Sequence, residues 1–315
     1  MSVLAAVVVV VLLVLRPGAA LWLTWDVLIP AVPLLLLVAP GVWRNLCPIS
    51  VVHQLPATLG ARPARRLARP AQAWAPAVAA ALLFLIVPLR LVLFNDSGPA
   101  LALFVVSVLV VALVGGLLYA GKAGWCATFC PVLPVERLYG QAPPVQADHA
   151  HCATCTGCIA GCYDLGAGRS MAHAVGNRRG EPLYRSPMGI FAAAFPGFVL
   201  GYFTAPEAPT VLQAYGWILS VAAGGAVLLM AFQALVRIGT LSMTRIAAAL
   251  AIGLYYWFTV PAVAAAAHEM LAIPAAPAAG IIAARTFFVL VAAGWLAWTL
   301  GPGRRGPLPR SAPTR

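Results

Sequence analysis

Long apolar runs recur along the chain, each closed by a short cluster of Arg, Pro, Gly or acidic residues. A membrane-spanning helix needs about 20 apolar residues. Eight stretches are read as spans on that basis, at roughly 3–24, 27–43, 72–94, 100–120, 187–204, 211–236, 246–265 and 280–301. The first is the weakest, because Arg16-Pro17-Gly18 interrupts it after thirteen apolar residues. A signal peptide is the other reading of that run. No basic n-region precedes it, which argues against cleavage.

The basic residues sort onto alternate connections. Residues 44–71 carry Arg44, Arg62, Arg65, Arg66 and Arg69, and 121–186 carry Lys122, Arg137, Arg169, Arg178, Arg179 and Arg185. Arg237 and Arg245 fall in the 237–245 turn, and Arg304, Arg305, Arg310 and Arg315 in the tail. Together these are seventeen of the 20 basic residues, all on one side, and the positive-inside rule makes that side the cytoplasm. The opposite connections are short and acidic, with Asp26, Asp96, Glu207 and Glu269. The expected fold is therefore an all-α multi-pass inner (plasma) membrane protein of about eight transmembrane helices, with both termini cytoplasmic. It divides into a four-span region (1–120), a cytoplasmic segment (121–186), a second four-span region (187–301) and a basic tail (302–315).

Composition narrows the class. Of 315 residues, 62% are hydrophobic and 9% charged, with a net charge of +12. A soluble domain is about a quarter charged, so a soluble enzyme, a disordered chain and a fibrous repeat are all excluded. The basic excess points to anionic lipid rather than nucleic acid, because the Arg62–Arg69 run and the tail adjoin spans. Arg16, Arg90 and Arg285 lie toward the outer ends of their spans, where a long side chain reaches the interface. Such an Arg can instead bind an acidic headgroup, a quinone carbonyl or a partner's carboxylate. Tyr255-Tyr256-Trp257 and the Trp22/Trp25 pair fit interfacial belts, and Gly115-Gly116 and Gly224-Gly225 fit close helix packing. No phosphate-binding Gly loop, catalytic triad or carboxylate pair occurs.

The chemistry is in the cysteines. There are seven, at 47, 126, 130, 152, 155, 158 and 162. Cys152, Cys155, Cys158 and Cys162 form C-x2-C-x2-C-x3-C, the spacing with which one tight loop presents thiolates to a [4Fe–4S] cubane. Structural zinc prefers two well-separated Cys pairs, and no C-x-x-C-H for haem attachment occurs. The 121–186 segment holds six of the seven cysteines and is poor in apolar residues, so a metal centre would supply folding energy there. A weak repeat accompanies the run. Cys47-Pro48 after the second span aligns with Cys130-Pro131 after the fourth at an offset of 83, placing Trp43 on Cys126 and Val52-His53-Gln54-Leu55 on Val135-Glu136-Arg137-Leu138.

C-x3-C-P after a span, repeated and followed by a ferredoxin run, resembles the membrane-bound ferredoxin-type proteins of respiratory systems. These include the quinol-oxidising ferredoxin-type subunit of periplasmic nitrate reductase. They also include the nitrous oxide reductase maturation proteins and the cytochrome oxidase accessory iron–sulfur proteins. The resemblance covers roughly 27–165. It implies a cytoplasmic ferredoxin-like segment in which Cys152, Cys155, Cys158 and Cys162 hold the cluster, with Cys126, Cys130 and Cys47 as a further thiolate group. It also implies electron transfer between the quinone pool and a redox partner protein, as in a quinol dehydrogenase-type subunit. The chain departs from the pattern in three ways: Trp43 replaces the leading Cys of the first motif, there is one ferredoxin run, and four spans follow it. A second centre would need a non-Cys ligand, an iron-deficient form or an open iron site, and His53, Asp148, His149 and His151 are near in sequence. The competing expectations are a redox assembly factor for a respiratory metalloenzyme, a cluster-based redox sensor, and a transporter built on the last four spans.

Overall fold

The computed structural model describes residues 2–61, 65–145, 163–165, 167–175 and 181–301. Among them there is no strand, only an isolated bridge between Arg65 and Tyr119. Six helices are long and apolar enough to cross a membrane, at Pro17–Val38, Pro70–Phe94, Gly98–Leu118, Val211–Val236, Thr240–Leu271 and Ala278–Leu300. Two further apolar helices, Ser2–Leu15 and Pro187–Phe203, are shorter. Among the described residues, six helices have the length and apolarity of full spans, as in a multi-pass membrane protein, and two of the eight expected spans are shorter helices.

The first two expected spans divide differently. Helix α1 (Ser2–Leu15) has 14 residues, about 21 Å at 1.5 Å per residue, short of a ~30 Å hydrocarbon core. It stops at Arg16, whose backbone is non-helical, because Pro17 then opens the next helix. From there α2 (Pro17–Trp22), a π-helical turn (Leu23–Leu28) and α3 (Ile29–Val38) run on as one rod. The expected connection at Asp26 does not form. The rod breaks at Ala39, followed by two short helices, α4 (Pro40–Leu46) and α5 (Pro48–Thr58).

Helix α6 (Arg69–Leu89), a π turn at Arg90–Phe94 and α7 (Gly98–Leu118) match the expected third and fourth spans. Helix α8 (Leu133–Tyr139) follows Cys130-Pro131, as α5 follows Cys47, so both halves of the weak repeat start a short helix after Cys-Pro. Beyond α9 (Ala167–Val175) comes α10 (Pro187–Phe203), with 17 residues of which twelve are buried. It is apolar on every side because it packs among α6, α11 (Val211–Val236) and α12 (Thr240–Leu271). Phe84 stacks on Phe198 with ring centroids 4.4 Å apart, and Gly197 meets Gly225 where α10 crosses α11. Gly225 thus has the packing role expected of the Gly224-Gly225 pair, while Gly224 faces open space.

Helices α12 and α13 (Ala278–Leu300) form the last antiparallel pair. With 32 residues, α12 is about 48 Å long, so it includes Arg245 at one end and His268-Glu269 at the other. These were expected in connections. Tyr256 was expected in an interfacial belt, but it is buried. Its hydroxyl accepts from Leu34 N at 3.1 Å and donates to Pro30 O at 2.7 Å. Those two groups are i and i−4 of α3, so a side chain from α12 inserts into the hydrogen-bond ladder of a Pro-rich helix.

The basic connections gather at one end of the bundle. Ala120 N donates to Arg65 O at 2.8 Å, joining the 44–71 and 121–186 segments. Leu183 N donates to Gln233 Oε1 at 3.0 Å, bringing the end of α11 to the same segment, and Arg245 Nη1 donates to Thr299 O at 2.7 Å at the end of α13. The described parts of these connections meet at one end of the bundle, which we call the loop end.

Candidate functional site

Two turns and two short helices assemble the site at the loop end. Helix α4 projects Trp43 and Arg44 and ends at Cys47. After α7, a 3-10 turn (Gly121–Gly124) places Lys122, and tight turns carry Cys126 and Cys130 into α8, which presents Glu136. This folding depends on Gly115 and Gly116 at the end of α7. A Cβ on Gly115 would lie 2.9 Å from Gly124 O, and one on Gly116 would collide with the carbonyl of His53. The two glycines let α5 and the 3-10 turn press against α7, which is the role expected of them.

A buried ionic network forms the centre. Arg44 Nη2 is 2.7 Å from Glu136 Oε2, and Lys122 Nζ is 2.8 Å from Asp164 Oδ2. Arg44 Nε also approaches Asp164 Oδ1 at 3.8 Å. All four side chains are 4% exposed or less. Trp43 Nε1 donates to Glu136 Oε1 at 2.7 Å, and Arg44 Nη1 donates to Cys126 O at 3.4 Å. Tyr163 adds a hydroxyl that donates to Glu136 O at 2.9 Å, with its ring 5.0 Å from the Arg44 guanidinium carbon. Burial works against the Arg44 cation, but Glu136 and Asp164 outweigh it and hold Arg44 protonated well above its ordinary range. Two cations thus meet two carboxylates.

The three cysteines outside the ferredoxin run share this neighbourhood. Burial pushes the Cys126 thiol up to about 12 despite Arg44, and pushes Cys130 well above the usual thiol range, with Glu136, Cys126 and Cys47 adding to it. Cys47 is raised by the same desolvation. Such thiols are protonated and chemically quiet unless a cation displaces the proton. Among the described residues, no group of three His, Cys, Asp or Glu side chains is arranged to hold a metal ion. Cys47, Cys126 and Cys130 are neighbours, and no second centre is assembled from the described residues alone. His53 is 1% exposed, and neither ring nitrogen has a hydrogen-bond partner. Burial, then the charge of Lys122, lowers it to about 4, so it is a neutral imidazole at pH 7.

Cys152, Cys155, Cys158 and Cys162 lie outside the described residues, as do Asp148, His149 and His151. What is described is where the run leads. Tyr163 and Asp164, the next two residues in sequence, are locked into the ionic network by the contacts above. The sequence reading missed this network. It assigned Arg44 and Lys122 to the positive-inside tally, and the signal it passed over was positional. Lys122 is the chain's single lysine, and Asp164 follows the cysteine run by two residues.

The chain matches no protein-family model, no curated protein and no solved structure.

Proposed function

We propose that this chain is a membrane-bound iron–sulfur electron carrier that passes electrons between the quinone pool and a redox partner protein. Cys152, Cys155, Cys158 and Cys162 hold one [4Fe–4S] cluster, and the loop end faces the cytoplasm. The observation that carries this reading is the C-x2-C-x2-C-x3-C run itself, continued by Tyr163 and Asp164 into a buried anchor. The donor set suits the group: four thiolates at cubane spacing on one loop, with no competing histidine inside the run.

The cluster, when bound, supplies one-electron chemistry. The rest of the chain positions and insulates it. Asp164 pairs with Lys122, and Tyr163 rests against Glu136 and Arg44, so the C-terminal end of the run is tied to α4 and α8.

The test is a Cys155→Ser variant of the full-length protein, purified anaerobically. It is expected to lose the cubane signature and quinol-dependent reduction while keeping its helical content. An intact cubane spectrum in that variant would remove the ligand assignment.

A further inference from the structure

At the end of the bundle remote from the cysteines, a cavity of about 540 Å³ opens between α2, the π turn after α6 and the last turn of α12. Its wall includes Trp22, Trp25, Asp26, Arg90, Asn95 and Glu269. Arg90 is held rigidly there. Its Nε donates to Asn95 Oδ1 at 2.9 Å, and its guanidinium carbon lies 4.4 Å from the Trp25 ring centroid and 5.7 Å from that of Tyr202. Trp25 is itself fixed by a hydrogen bond from Nε1 to Phe94 O at 3.1 Å.

The polar groups of this wall are poised but unspent. Neither Asp26 nor Glu269 forms an ion pair with Arg90, so its terminal nitrogens are left for a ligand. The Trp22 Nε1 is buried with no hydrogen-bond partner, and a buried donor left unmade is costly. The cavity wall therefore offers a cation, an indole N–H and two carboxylates. Its complement is a ligand that carries an anion and a hydrogen-bonding cation a few atoms apart. The paired tryptophans place it at the depth where lipid headgroups lie.

We propose that this cavity binds the headgroup of a zwitterionic phospholipid with a primary amine. The phosphate meets Arg90 and Trp22 Nε1, and the ammonium meets Asp26 and Glu269. The cavity lies far from the ionic network: Gly98, three residues past Asn95, and Gly116, which abuts His53, are 18 residues apart on α7, about 27 Å. The headgroup site stands apart from the electron-transfer reading, so either can fail alone.

The test uses delipidated full-length protein in detergent micelles, with bound lipid read by native mass spectrometry. The probes are phosphatidylethanolamine, phosphatidylcholine and phosphatidylglycerol of equal chain length. Phosphatidylethanolamine is expected to be retained about tenfold more tightly than the other two, a difference of about 1.4 kcal/mol. Arg90→Gln should lower its retention about tenfold, and Asp26→Asn should erase its advantage over phosphatidylglycerol. Met270→Trp, at an exposed wall position, should block all three lipids without altering a charge. Equal retention of the three lipids by the wild type would overturn the proposal. So would retention unchanged in Met270→Trp, soluble phosphoethanolamine binding as tightly as the lipid, or a short-chain quinone displacing it.

Discussion

Replacing Asp164 by Asn removes one charge from the buried network and keeps the side chain's shape. Lys122 Nζ loses a carboxylate at 2.8 Å, and Arg44 loses one at 3.8 Å but keeps Glu136 at 2.7 Å. At an effective dielectric of about 20, the gross Coulomb attraction lost at Lys122 is roughly 6 kcal/mol and that at Arg44 roughly 4 kcal/mol. The amide oxygen retains part of the Lys122 contact, and the carboxylate's own desolvation cost disappears. The net loss should fall at the low end of the ~3–5 kcal/mol typical of stranding a buried partner, near 3 kcal/mol. The assay is unfolding in mixed micelles at pH 7, followed by far-UV circular dichroism. Lys122→Met combined with Asp164→Leu removes both charges and should recover about 2 kcal/mol relative to Asp164→Asn. A change below about 1 kcal/mol in Asp164→Asn would refute the claim that this pair anchors the loop. No recovery in the double variant would show that the loss has another origin.

Three further outcomes are expected. Gly116→Val forces a side chain into the His53 carbonyl, and should cost about 1–3 kcal/mol in the same assay through overpacking. His53 is held near 4 in the folded chain against 6.5 for an ordinary imidazole. The unfolded chain therefore binds more protons between those values, and stability falls as pH drops from 6.5 to 4, by about 3 kcal/mol. A His53→Gln variant should flatten that part of the profile, and an unchanged slope would sink the assignment. Tyr256→Phe leaves Leu34 N and Pro30 O without their inserted partner. It should lower stability by about 0.6–1.7 kcal/mol and change hydrogen exchange at Leu34.

Most apolar runs of the second half were legible because turn residues bound them, whereas α12 runs on through Arg245 and His268-Glu269. Val211–Val236 falls where its pattern ends. The first half was harder. A π turn carries the helix past Asp26, and no apolar count reveals whether a lone acidic residue ends a helix or rides within it. Arg16-Pro17 was the visible break and is the real one. At the site, spacing alone marks Cys152–Cys162, because a cubane's reach is local in sequence. The network of Arg44, Lys122, Glu136 and Asp164 joins four separate stretches, so no local pattern encodes it. Tyr256 illustrates the same limit. Its neighbours Tyr255 and Trp257 make it resemble a belt, and only packing against α3, more than 200 residues away, reveals its partner.

The central claim is that the cysteine run carries a cubane in electronic contact with the quinone pool. The most direct measurement is EPR on anaerobically purified full-length protein, before and after adding a reduced quinol analogue, with iron counted on the same sample. The account predicts about four irons per chain and a cubane signal that the quinol induces. Zinc in place of iron would contradict the cluster. A cubane reducible by dithionite but not by quinol would contradict the electron-carrier role.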